Sequence, residues 1–154
     1  MDKIIVTVFL VMAGVISSVF AFNSIYPAIV QSGDAMTAME RRIDERMKTQ
    51  IKIINAARSG NDVVIWVKNI GNLRVLAPES SDVFFGPQGN YARIPYSVGT
   101  PNWFYTIENS SEYDWHPTGT LKMTIAYSSP PDPGTYFIKV VLTNGISDEY
   151  LVSW

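Results

Sequence analysis

A long run without charge near the N-terminus limits what this chain can fold into more than any other feature. Residues 4–33 contain no charged side chain and read IIVTVFLVMAGVISSVFAFNSIYPAIVQSG. At about 1.5 Å per residue, a helix over residues 4–22 covers roughly 28 Å, close to the hydrocarbon thickness of a bilayer. The rest of the 154-residue chain is too small to surround a helix that is apolar on every side. The run therefore predicts a helix that lies in a membrane or in the core of a helical assembly.

Two local signals bear on how this helix is used. Residues 19–21 satisfy the small-residue rule for signal-peptidase cleavage, so a cleaved secretory signal is an alternative. The apolar run continues past that point to Val30, which favours retention. Pro27 lacks a backbone N–H, and we expect the helix to kink or end near Tyr26. The positions assigned to the membrane or assembly helix are Ile4, Val8, Val11, Val15, Val19, Phe22 and Tyr26.

A second helical pattern follows the uncharged run. Its apolar residues recur at steps of three and four among charged ones, which gives a narrow apolar stripe. Such a stripe buries either against a second helix or against the chain's own β domain. Gly14, Ser17 and Ser18, in the first helix, would also allow another helix to approach closely. The positions assigned to helix self-association are Met36, Met39, Ile43, Met47, Ile51 and Ile54.

Beyond Arg58 the pattern changes to short β-rich runs between turn residues. We count about seven candidate strands, and Asn144-Gly145 is a strong hairpin signal between the last two. Tyr136, Ile138, Val140 and Leu142 alternate and are expected to share one face. The predicted fold class is α+β, with a long hydrophobic helix followed by an immunoglobulin-like sandwich. The predicted domains are residues 1–58, the helix and stalk, and residues 59–154, the sandwich.

Chemistry-bearing motifs are sparse. The chain has no cysteine, and residues 60–154 carry five Lys or Arg against nine Asp or Glu, which argues against nucleic acid as a partner. Glu112, Asp114 and His116 would share one face of an extended strand, with Glu108 nearby, but such a polar loop is usually only solvated. His116 has no nucleophile motif to work with, and glycine-rich phosphate loops are absent. We expect no enzyme activity, no cofactor and no metal site.

Aromatic residues concentrate between residues 89 and 118, interleaved with Pro, Gly and Ser. Protein interfaces favour this composition, although alternating aromatics also fill sandwich cores. Asn109 opens a formal glycosylation sequon in the same stretch. The candidate partner surface consists of Tyr91, Tyr96, Trp103, Tyr113 and Trp115.

Three stretches and the overall layout resemble archaellum accessory proteins of the FlaG and FlaF type. The stretches are the opening MDKIIVTVFLVMAGVISSVFAFNSIYPAIV, the passage RMKTQIKIINAARSGNDVVIWVKNIGN followed by SSDVFFG, and the closing PGTYFIKVVLTNGISDEYL. The resemblance implies a stator: a membrane helix, a β-sandwich outside the membrane, self-assembly, and attachment to the surface layer. The implied partners are further copies of the chain, other archaellum components, an S-layer or envelope protein, and the membrane.

Two other functions stay open at this point. Archaellins, the filament subunits, share the plan of hydrophobic helix plus sandwich, but this sequence shows neither their short basic leader nor a glutamate a few residues into the apolar run. A secreted binding module or enzyme with a cleaved signal is the second alternative. Lys3 favours a cytoplasmic N-terminus, but Arg41, Arg42 and Arg46 lie at the far edge of the range in which the positive-inside rule operates, so the charge count does not settle the orientation. A sandwich held on a stalk is typical of exported surfaces, and we expect the β domain at the cell surface.

Overall fold

The computed structural model of the protein describes residues 2–109 and 114–154. In these residues the chain forms one long α-helix, a short 3-10 helix at Pro78–Ser80, and eight β-strands. The helix is α1 (Asp2–Lys48), and the strands are β1 (Ile51–Ser59), β2 (Asp62–Asn69), β3 (Asp82–Pro87), β4 (Ala92–Ile94), β5 (Asn102–Ile107), β6 (Thr120–Ala126), β7 (Thr135–Val141) and β8 (Ser147–Ser153).

Of the two outcomes expected at Pro27, a kink or an end of the helix near Tyr26, the end is wrong. The helix continues through Pro27 to Lys48, because one missing backbone donor costs a long helix only a local hydrogen bond. Asp2 in the first turn and Arg46 and Lys48 in the last turn complement the helix dipole. None of the α1 residues that the structure describes is buried.

The chain divides into two compact units, Met1–Arg42 and Ile43–Trp154. The second unit contains the last turn of α1 and all the strands. The β unit therefore begins before residue 59, because β1 is a full strand of the sandwich.

The strands form two four-stranded antiparallel sheets. The first has the order β1-β2-β6-β5 and the second the order β4-β3-β7-β8. When β1 to β8 are given the immunoglobulin strand letters A, B, C, C′, D, E, F and G, the two sheets have the orders A-B-E-D and C′-C-F-G, as in an immunoglobulin domain. The predicted α+β class and sandwich are thus confirmed, with eight strands where about seven were expected.

The core lies between the two sheets and is built from alternating residues of both. Val63, Ile65 and Val67 of β2 are fully buried, and so are Leu121 and Met123 of β6. The predicted inward face of β7 is confirmed as well: its members Tyr136, Ile138 and Val140, together with Leu142, are all buried. At the Asn144-Gly145 turn, the amide of Gly145 donates to the carbonyl of Leu142 at 2.8 Å, so the predicted hairpin is also present.

Strand β1 overturns part of the predicted helical stripe. Ile51 and Ile54 lie in β1, not in a helix, and Ile51 is 3% exposed in the sandwich core. The apolar spacing of three and four residues continues into β1 by coincidence. The isoleucines there belong to a β-branched segment, and this segment forms a strand that pairs with β2. The helical part of the stripe ends at Met47.

Candidate assembly and partner surfaces

The predicted membrane or assembly positions lie on a helix whose apolar side chains are all open to the surroundings. All seven of those positions are exposed. Phe22 and Tyr26 stack one helical turn apart, with ring centroids separated by 5.5 Å. Apolar surface of this extent on a water-soluble protein marks a site that a membrane or another protein covers. By length and composition, α1 is able to cross a membrane.

The shortened stripe is also exposed. Met36, Met39, Ile43 and Met47 range from 46% to 81% exposure, although charged residues surround them. Their helical spacing and their exposure are those of a surface that a partner could bury.

The last turn of α1 is fixed to the sandwich within the unit Ile43–Trp154. The Arg46 side chain donates from Nε to the carbonyl of Asn144, at 2.9 Å, in the β7–β8 turn. Thr49 closes the helix by donating from Oγ1 to the carbonyl of Glu45, at 2.6 Å. Just beyond, the amide of Asn72 donates to the carbonyl of Lys48, at 2.8 Å. The chain thus passes from helix to strand without a free linker.

Gly71 makes this joint possible. A Cβ atom at residue 71 would lie 2.5 Å from the nitrogen of Gln50 and 2.5 Å from the oxygen of Lys48, closer than such atoms approach in real proteins. The fully buried side chain of Asn69 fixes the segment from Gly71 to Leu73. It accepts a hydrogen bond from the amide of Gly71 at 3.0 Å and donates one to the carbonyl of Leu73 at 2.8 Å. Only glycine allows the two backbone segments to come so close.

The structure corrects two members of the predicted aromatic surface. Trp103 and Trp115 are core residues, 1% and 0% exposed. Trp115 donates from its ring nitrogen to the carbonyl of Gly119 at 2.9 Å, and its own backbone pairs with Val75. Tyr113 lies outside the described residues. Both tryptophans of the predicted surface therefore belong to the core.

The two remaining aromatic positions are exposed, but they belong to different faces. Tyr96 packs its ring against Trp103 of β5, with centroids 4.8 Å apart. Beside it, Tyr105 donates a hydrogen bond to Glu79 at 2.9 Å. Burial, followed by this hydrogen bond, raises the pKa of Tyr105 to about 12, so its hydroxyl stays neutral. Tyr91 lies instead on the outer face of the second sheet.

That outer face carries an apolar group that the sequence interpretation missed. Tyr91 packs on Phe137 with ring centroids 4.6 Å apart, and Phe137 pairs across the strands with Leu151. Phe84 lies on the same face, opposite Lys139. Leu151 and Tyr91 are about half exposed, at 53% and 49%. We call Phe84, Tyr91, Phe137 and Leu151 the outer patch.

Ion pairs border the outer patch. Arg93 pairs with Asp82 across β3 and β4, and Lys139 pairs with Glu149 at 2.7 Å across β7 and β8. The hydrogen bond that the Lys139 amine donates to the Glu149 carboxylate raises the pKa of Lys139, which keeps that amine charged. An apolar centre with a charged rim is the usual anatomy of a protein-binding surface. The alternation of β7 could have revealed this patch from the sequence. Residues that alternate with the buried ones face solvent and are expected to be polar, whereas Phe137 at such a position is apolar.

The loop considered for metal binding offers no such cluster in the described part of the chain. Asp114 pairs with Arg74 at 3.0 Å, and Glu112 lies outside the described residues. Among residues 2–109 and 114–154, no three His, Cys, Asp or Glu side chains come together. Asn109 is described, but the rest of its sequon is not.

No protein-family model matches the chain. An uncharacterised protein of Archaeoglobus fulgidus is 30% identical over 99% of this chain and 98% of its own length. The solved archaellum periplasmic stator protein FlaG of Sulfolobus acidocaldarius is 30% identical, with a TM-score of 0.61, over 68% of this chain and 99% of that one. The chain belongs to the FlaG family.

A second solved structure agrees with this membership. The periplasmic stator complex of FlaF and FlaG from the same organism matches at 29% identity and a TM-score of 0.60, over 68% of this chain and 89% of that one. This FlaG-type protein is therefore a structural component of the archaellum. The structural neighbours are stator proteins, not enzymes.

Proposed function

We propose that this FlaG-type protein is a membrane-anchored stator subunit that links the archaellum motor to the cell envelope. The N-terminal part of α1 holds the chain in the membrane, and the sandwich stands outside the cytoplasm and binds an S-layer or other envelope protein. The observation that carries the proposal is an exposed apolar helix on a chain that is similar to a solved stator protein.

The anchor has the length that a bilayer needs. Residues 4–26 rise about 34 Å as a helix, against a hydrocarbon core of about 30 Å. Tyr26, stacked on Phe22, falls where the chain leaves the lipid, and tyrosine favours that boundary because its ring is apolar and its hydroxyl is polar. The relative named as a periplasmic stator supports a sandwich on the outer side.

The joint suits a protein that carries force. A load that reaches the last turn of α1 passes to the sandwich through the Arg46–Asn144 hydrogen bond and through the backbone contacts around Gly71. Stator function requires such stiffness and requires no chemical step. The same reasoning accounts for a glycine at residue 71, where the two backbone segments come close together.

The outer patch replaces the predicted aromatic surface as the site for a protein partner. It combines two half-exposed apolar residues, Tyr91 and Leu151, with a rim of paired charges. The solved FlaF and FlaG complex supports a second archaellum component as one partner of this protein. Self-association is also part of the proposal, and we assign it to the helix stripe.

The test uses the full chain in its native host. Leu151→Lys places a charge in the outer patch, and Thr106→Lys places one on the first sheet as the matched control. We expect membrane-retained protein in both strains, and loss of swimming and of envelope co-purification only with Leu151→Lys. Equal swimming in the two strains would contradict the assignment of the patch.

The same preparations separate the alternatives. Mass spectrometry of an intact N-terminus in the membrane fraction supports the anchor, whereas a chain beginning at Phe22 would make it a cleaved signal. Long filaments of this protein with its helices in a central core would make it a filament subunit, and the stator proposal would fail.

A further inference from the structure

We infer that α1 pairs with α1 of a second copy, parallel and in register, along one helix face that runs from inside the membrane into water. This inference rests on the proposed membrane anchor, and it names the self-association partner and its geometry. The face is called the seam, and its members are Gly14, Ser18, Ala21, Ile25, Ser32, Met36 and Met39.

The end of the seam that lies in water exposes large apolar side chains. Met36 is 65% exposed and Met39 is 63% exposed, on a stretch of helix that lies beyond the membrane-spanning residues. One turn apart on the same face, they form the kind of apolar stripe that a second helix buries. The same spacing continues in the sequence to Ile43 and Met47.

The membrane end of the seam lies in the same helical phase. At about 100° per residue, all seven seam residues fall within a sector about 60° wide. Inside the membrane that sector holds Gly14, Ser18 and Ala21, and small residues are what lets two helices pack closely in lipid. Ser18 adds no unpaired polar group, because its hydroxyl donates to the carbonyl of Gly14 at 2.8 Å. The face is therefore small at Gly14, Ser18 and Ala21 inside the membrane and carries the methionines Met36 and Met39 beyond it, with Ile25 and Ser32 between these two parts.

Charge selects the orientation of the pair. Measured from the middle of the seam, Glu40 lies about 70° to one side and Arg42 about 90° to the other. In a parallel pair the left flank of one helix meets the right flank of its partner, so Glu40 faces the basic flank of the second copy. In an antiparallel pair like charges would meet. Two copies inserted in one membrane with the same topology are also parallel.

The test exploits the absence of cysteine in the chain. Single cysteines are introduced in the full-length protein, in native membranes, and oxidised with a mild catalyst. Met39→Cys and Ala21→Cys lie on the seam. Arg41→Cys and Ile16→Cys, on the opposite face at similar depths, are the matched controls. A disulfide needs Cβ atoms about 4 Å apart, so only facing positions are linked.

We expect a dimer fraction at least about tenfold higher for both seam positions than for their controls, since linking falls steeply with distance. Equal fractions at Met39→Cys and Arg41→Cys in membrane-retained protein would overturn the inference and leave the anchor intact. Linking at Met39→Cys without linking at Ala21→Cys would also overturn it, because the seam would not be continuous. Protein in the soluble fraction, with a processed N-terminus, would mean that the proposed anchor itself fails.

A charge exchange tests the orientation independently. Glu40→Lys in the Met39→Cys background makes both flanks basic, and we expect linking to fall about two- to fivefold, the range of weak surface pairs. Adding Arg42→Glu restores unlike flanks and should restore linking. An unchanged dimer fraction in both variants would contradict the parallel arrangement.

Discussion

Replacing Gly71 by alanine should loosen the joint between the last turn of α1 and the sandwich. The added Cβ would lie 2.5 Å from the nitrogen of Gln50 and 2.5 Å from the oxygen of Lys48. Both are backbone atoms, so neither can rotate away, and one segment must move by about 1 Å to reach ordinary contact. That movement lengthens two backbone hydrogen bonds. The amide of Ile70 donates to the carbonyl of Gln50 at 2.9 Å, and the amide of Asn72 donates to the carbonyl of Lys48 at 2.8 Å.

The expected loss of unfolding free energy is about 2 to 4 kcal/mol, from overpacking and from weakened hydrogen bonds. A domain of this size has about 5 to 15 kcal/mol of stability, so the variant should still fold. Denaturant unfolding of the full chain in detergent, followed by tryptophan fluorescence, measures the loss. Hydrogen exchange at the amides of Ile70 and Asn72 locates it.

Gly134→Ala is the matched control. A Cβ at residue 134 meets only the ring of Tyr136, at 3.8 Å, and we expect unchanged or slightly higher stability. The reasoning is refuted if Gly71→Ala unfolds within about 0.5 kcal/mol of the unaltered protein and the Asn72 amide keeps its protection. If the joint carries load, Gly71→Ala should also reduce swimming at equal protein level.

Three further predictions test the core. Trp115→Ala should lower the free energy of unfolding by about 3 to 5 kcal/mol and Tyr91→Ala by about 1 kcal/mol or less, as measured by denaturant unfolding. Equal losses would contradict the placement of Trp115 in the core and of Tyr91 at the surface. Asn69→Ala should cost about 2 to 4 kcal/mol in the same assay, because it leaves the amide of Gly71 and the carbonyl of Leu73 without their partner, and a neutral result would contradict that role. Burial raises the pKa of Tyr127 to about 12, whereas an unfolded tyrosine titrates near pH 10. As pH rises, the tyrosine therefore loses its proton first in the unfolded state, and the free energy of unfolding should fall from about pH 10 to about pH 12. Tyr127→Phe should make this fall smaller, and denaturant unfolding of both proteins at about pH 9 and about pH 11 measures the difference.

Strand patterns with strict alternation could be predicted from the sequence, and β7 is the clearest case. A period of two is a direct consequence of strand geometry, so its buried face could be assigned without a structure. Strand β1 could not, because Ile51 and Ile54 satisfy a helical spacing and a strand equally well. Pairing with β2, a contact that no local pattern encodes, decides between them.

The partner surface was predicted less well for a physical reason. Composition shows that aromatics are concentrated, but both cores and interfaces concentrate them. Trp103 and Trp115 are placed inward by the register of β5 and by the pairing with Val75, which only the tertiary structure supplies. The outer patch joins residues from β3, β7, β8 and the turn before β4, so no single stretch of sequence announces it.

The most direct test of the membrane-anchored stator is labelling of single cysteines in intact cells with a reagent that cannot cross membranes. Thr106→Cys lies on an exposed position of the sandwich and Asp2→Cys at the start of α1. The account predicts that Thr106→Cys is labelled in intact cells, that Asp2→Cys is labelled only after the membrane is opened, and that both proteins sediment with membranes. Labelling of Thr106→Cys only after lysis, or recovery of the sandwich as a free protein, would contradict it.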